Sequence, residues 1–162
     1  MQLNVFSQNT MNHKQLILCI AILLTNTFSF AQNNVLHFNH KANLALSGYD
    51  PVSYFNNNPQ LGDSKLRHEY EGLIYYFTSE VNLQHFKKSP SSFIPQYGGW
   101  CAYAMGIDGS KVKIDPNTYK IINGKLYLFY NFYFNNTLED WNKDEIKLRT
   151  KADEYWLKIM GQ

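Results

Sequence analysis

Leu73-Ile74-Tyr75-Tyr76-Phe77-Thr78-Ser79-Glu80-Val81-Asn82-Leu83-Gln84-His85-Phe86-Lys87-Lys88 decides the fold class, because two periodicities meet inside it. Leu73 to Phe77 is rich in β-branched and aromatic residues and predicts a strand. Ser79 is a favoured N-cap residue, and Glu80 to Lys88 continue as a helix with Leu83 and Phe86 on one face. Pro90 stops that helix, and Ser89-Pro90 opens a second short helical turn through Phe93 and Ile94. On the other side, Lys65 to Tyr70 faces Leu73 to Phe77 across Glu71-Gly72, which predicts an antiparallel hairpin.

Working outward, Tyr119 to Ile122 and Lys125 to Tyr130 flank Asn123-Gly124, the strongest short-range hairpin signal. Trp141, Glu145, Leu148, Ala152, Tyr155 and Ile159 recur every three or four residues, with Trp156 beside them, and predict an amphipathic C-terminal helix. Gly48-Tyr49-Asp50-Pro51 predicts a turn into a short strand, Val52 to Phe55, and Asp115-Pro116 predicts another turn. The fold class that follows is α+β: a small single domain with antiparallel hairpins, one central helix and a C-terminal helix.

The chain has 162 residues and a formal net charge of +2, too small to argue for a nucleic-acid partner. Hydrophobic residues at 44% and charged residues at 17% exclude wholesale disorder, and two cysteines exclude a disulfide scaffold. Met11 to Lys14 is a short basic start, Leu16 to Leu24 is unbroken apolar chain, and Ser29-Phe30-Ala31 ends in a small residue. That order predicts a signal peptide over residues 1–31, with Met1 or Met11 as the start, and an exported, periplasmic or extracellular protein beginning near Gln32. The apolar run is shorter than the roughly 20 residues of a membrane span, so no stable span is expected after cleavage. Residues 32–43 are expected to be a flexible arm and residues 44–159 the domain.

Cleavage leaves Cys101 as the only cysteine, which excludes an internal disulfide. Cys101 is then a buried inert residue, a metal ligand, a reactive thiol or an intermolecular link. If Trp100 to Met105 is helical, Cys101 and Met105 stand at i, i+4, and thiolate with thioether suits copper(I). His85, ahead of His68, is the candidate to complete that copper or zinc set, while His37 and His40 form a pair in the arm. Cys and Met are equally common as core fillers. A thiol-dependent enzyme needs Cys101 with His85 or His68 as base, and backbone N–H groups of Gly98-Gly99 as an oxyanion site. Tyr97, Gly98, Gly99 and Trp100 are the candidate small-ligand residues, because aromatic walls and close backbone approach favour a pocket there. A purely structural or protein-interaction domain is the third alternative.

An ordered set of motifs resembles the YHS domain family. It comprises Gly48-Tyr49-Asp50-Pro51-Val52, Tyr76-Phe77-Thr78-Ser79 with Phe86 and Pro90, and Pro95-Gln96-Tyr97-Gly98-Gly99-Trp100-Cys101-Ala102. Asp115-Pro116, Asn123-Gly124-Lys125-Leu126-Tyr127-Leu128 and Trp141…Ala152-Asp153…Trp156 complete it. The resemblance implies a metal- or small-ligand-binding module, with copper or other transition-metal handling as one role. Members for which metal binding is most plausible resemble three cysteine places that Ser53, Thr78 and Asn82 fill here. Hydroxyls and an amide replace thiolates poorly toward soft metals. The alignment also requires Ser53, Thr78 and Asn82 to meet in space near the start of the Glu80 to Lys88 helix.

Overall fold

The computed structural model describes residues 35–162, so the expected signal peptide lies outside the described residues. Strands β1 (His40–Lys41) and β2 (Leu44–Ala45) form a short hairpin before β3 (Asp63–Tyr70) and β4 (Leu73–Phe77). The sheet order is β1-β2-β4-β3, with β2 parallel to β4 and the other pairs antiparallel. Leu73, Tyr75 and Phe77 alternate inward along β4, as one buried face requires. Helix α1 (Glu80–Lys88) is capped by Ser79, whose Oγ accepts from the Asn82 N–H at 3.2 Å. Phe86 of α1 packs against Tyr75 and Phe77, ring centroids 4.9 and 5.2 Å away.

Helix α2 (Ala102–Asp108) follows, then β5 (Asp115–Ile122) and β6 (Lys125–Phe129), paired across Asn123-Gly124. Asp115-Pro116 opens β5 rather than forming a free turn, and the register slips between Asp115 and Tyr119. A further hairpin, β7 (Asn131–Phe132) and β8 (Asn135–Asn136), leads to α3 (Thr137–Lys143) and α4 (Glu145–Ile159). The expected C-terminal helix is thus two helices, broken where Asp144 leaves helical geometry at φ −150°, ψ 51°. Gly106 lets α2 cross α4 closely: a Cβ there would lie 2.5 Å from the Leu148 carbonyl oxygen.

Two apolar clusters stabilise this α+β domain. One gathers Tyr54, Tyr75, Phe77, Phe86 and Leu128 under the four-stranded sheet. The other gathers Met105, Phe129, Trp141 and Ala152 between β6 and the last helices. Two expectations are corrected. Val52 to Phe55 is not a strand: Ser53–Asn56 is a 3-10 turn, because Asp50 captures the following backbone. Val35 to Asn43, expected to be part of a loose arm, is built onto the domain through hydrogen bonds to Gly98 and Gly99. No helix among the described residues is long and apolar enough to cross a membrane.

Candidate functional site

Asp50 is fully buried, and Ser53, Thr78 and Asn82 all meet it. Its Oδ1 accepts from the Val52 N–H at 2.8 Å, an Asx turn. Its Oδ2 accepts from the Thr78 N–H at 2.9 Å, the Thr78 hydroxyl at 2.8 Å and the Asn82 amide at 2.7 Å. Asn82 spends its second amide hydrogen on Thr78 Oγ1 at 3.1 Å. The Ser53 hydroxyl donates to the Asp50 carbonyl at 2.6 Å and accepts from the Gln60 N–H at 3.0 Å. The three places aligned with cysteines therefore do converge at the start of α1.

The convergence does not make a metal site. Four donors already engage the Asp50 carboxylate, three on Oδ2 and one on Oδ1. A cation would have to strip these bonds from a buried group. No ion pair reaches Asp50 among the described residues, so its charge is held by neutral donors alone.

Cys101 is fully buried at the N-cap position of α2, between the two halves of the domain. Its sulfur lies 3.4 Å from Thr137 Oγ1 and accepts from the Tyr130 N–H at 3.4 Å. The Thr137 hydroxyl donates its one hydrogen to the Tyr130 carbonyl at 2.9 Å. The sulfur, the Thr137 hydroxyl and the Tyr130 backbone thus close a ring of polar contacts around Cys101.

The expected metal set is not brought together. Cys101 has φ −59°, ψ 117°, outside helical geometry, so the i, i+4 rule does not carry its side chain to the face of Met105. Met105 packs in the second cluster with Trp141, whereas Cys101 belongs to the first. His85 is exposed on α1. His68 sits edge-on to Phe86, centroids 6.2 Å apart, on β3. Neither histidine contacts the thiol, so the Cys–His pair of an activated nucleophile is absent among the described residues. Those residues also contain no group of three or more His, Cys, Asp or Glu placed to hold a metal ion.

Of the remaining candidates, Gly98 and Gly99 line a cleft of about 270 Å³ between the arm and the Tyr97–Gly99 turn, and Tyr97 and Trp100 do not. Leu44, Leu73, Tyr75, Ile94 and Ile114 make its apolar floor. Asn39, His40, Lys41 and Ser47 bring polar groups to its walls, and no carboxylate lines it. Gly98 serves the arm first: a Cβ there would lie 3.1 Å from Phe38 Cα and 2.8 Å from the Trp156 ring. The Asn39 N–H donates to the Gly98 carbonyl at 2.8 Å, and the Asn39 amide to the Gly99 carbonyl at 3.0 Å. Trp100 is half-buried against the second cluster, its indole N–H donating to the His37 carbonyl at 2.7 Å. Tyr97 turns into the second cluster and donates to Asp153 at 2.9 Å; burial first, and that bond second, hold its phenol protonated well above the usual range.

The cleft walls carry backbone strain. Leu46 and Ser47 lie at φ 53° and 54°, in the left-handed region that non-glycine residues avoid. Such residues persist where the surroundings enforce them, and they concentrate at binding sites. Sequence reasoning found Gly98 and Gly99 but missed the opposite wall, Asn39 to Ser47, which has no local signal. The role of Asp50 has a local signal, because Asp before Pro favours an Asx turn in which the carboxylate accepts from the N–H two residues on. Neither a family model, nor a curated protein, nor a solved structure matches this chain.

Proposed function

We propose that the chain is an exported YHS-type domain that binds a small amphiphilic anion in the arm cleft. The observation that carries this reading is the cleft's division of labour. It has an apolar floor, a Lys and a His on its walls, and no acidic residue. Ligand sites are typically concave and mostly apolar, with a few polar groups that orient the ligand. A short apolar body with one negative head matches both parts. The convergence of Ser53, Thr78 and Asn82 on Asp50 supports the YHS-type alignment. The hydrogen-bonded thiol at Cys101 favours packing over catalysis there. Titration with octanoate, followed residue by residue, tests the binding reading; a mature N-terminus near Gln32 is the mass-spectrometric sign of export.

A further inference from the structure

Among the described residues the chain makes four two-residue hairpin turns: Ala42-Asn43, Glu71-Gly72, Asn123-Gly124 and Tyr133-Phe134. In every one both central residues have positive φ: 50° and 63°, 50° and 77°, 51° and 71°, and 53° and 65°. This turn matches strand twist and strongly prefers Asn, Asp or Gly. Three of the four pairs include Asn or Gly. The fourth places two aromatic side chains where Cβ crowding is worst. Its tip is also fully in solvent, with Tyr133 87% and Phe134 110% exposed. The pair is unfavourable for the backbone and for hydration together. The other aromatic of the hairpin, Phe132, does pack, 5.1 Å from Tyr130.

We propose that Tyr133 and Phe134 are an interfacial anchor that docks the domain onto an anionic phospholipid surface. Charge selects this occupant. Lys113 Nζ lies 4.8 Å over the Phe132 ring, on the stem directly below the tip. Lys113 is exposed, while Val112 and Ile114 turn inward; Lys111, exposed on the same extended segment, holds its ammonium 3.1 Å from His37 Nδ1. Glu139 accepts from Asn136 at 3.2 Å, at the foot of the hairpin away from the tip. Shape points the same way. A convex two-residue finger offers far less than the roughly 800 Å² per partner of a stable protein interface. Tyr and Phe at the tip of a finger instead suit the headgroup boundary, and each nearby lysine strengthens binding to anionic lipid about fivefold. The anchor is separate from the cleft and does not depend on it.

The test is sedimentation of the purified full chain with phosphatidylcholine vesicles, with and without phosphatidylglycerol. Wild type and variants carry the same N-terminus, so differences report the tip. Tyr133→Asn combined with Phe134→Gly should weaken partition to the anionic vesicles about tenfold or more. The same variant should melt higher than wild type, because the preferred turn pair replaces a strained one. Lys113→Ser should weaken anionic binding while leaving the weak neutral-vesicle binding in place. Emission from Phe134→Trp should shift to the blue on adding anionic vesicles, beyond any change in wild type. The proposal is overturned if the turn variant binds as wild type does, or if the Phe134→Trp emission ignores the vesicles. It is equally overturned if the turn variant melts lower, or if it dissolves a lipid-free wild-type dimer, which would make a second copy the occupant.

Discussion

Asn82 donates to Asp50 at 2.7 Å across 32 residues of chain, and that bond ties the head of α1 to the loop before the Ser53–Asn56 3-10 turn. Asp50 is buried with four donors aimed at it and no cation. Asp50→Asn keeps the shape but turns an N–H₂ toward donors that need an acceptor. We expect a loss of about 3 kcal/mol in denaturant unfolding. Asn82→Ala should cost less, since Thr78 still serves the carboxylate. An Asp50→Asn variant within about 0.5 kcal/mol of wild type, the range of neutral surface changes, would show that the knot is not structural.

Cys101 lies beside a second pocket of about 290 Å³, lined by Tyr103, Val112, Tyr130 and Thr137, yet its side chain is fully covered. A bulky aromatic disulfide reagent should therefore react only as fast as the domain opens, and at once in denaturant. Thr137→Val removes the hydroxyl 3.4 Å from the sulfur and should speed the native reaction. Stoichiometric labelling of the folded wild type within seconds would contradict the closed ring of polar contacts.

His68 is held below its ordinary value of 6.5, first by burial and then by Lys87, with Glu69 opposing. The folded state therefore binds fewer protons than the unfolded chain between the lowered value and 6.5. Stability should be complete above 6.5 and fall as pH drops through that window. His68→Gln should flatten this part of the profile. An NMR titration placing the His68 pKa at or above 6.5 would remove the argument.

The parts of the fold legible in sequence are those with local chemistry. Asn123-Gly124 and Glu71-Gly72 turn hairpins by their own backbone preference, and Ser79 caps α1 from three residues away. What was not legible depends on distant partners. Val52 to Phe55 has strand composition, but the Asp50 carboxylate bends the chain there. The arm residues gain their order from Gly98 and Gly99, about 60 residues on, as the Asn39 bond illustrates. The β7–β8 hairpin carries Tyr133-Phe134 where turn chemistry expects Asn or Gly. Met105 and Cys101 have helical spacing in sequence, but the helix begins one residue after Cys101. For the site, sequence supplied Gly98, Gly99 and the cysteine-aligned trio, and only the folded arm supplies the cleft wall that faces the glycines.

Titration of the isotope-labelled protein with octanoate, read from amide chemical shifts, tests the central claim most directly. The account predicts saturable shifts confined to the cleft, led by Asn39, Ser47, Gly98 and Gly99. Octanol, with the same body and no charge, should bind more weakly. His40→Ala with Lys41→Ala should weaken octanoate by about fivefold, the ratio that roughly 1 kcal/mol of exposed charge pairing carries. Shifts that never saturate, that appear around Cys101 instead of Gly98 and Gly99, or that are indifferent to the head group would contradict it.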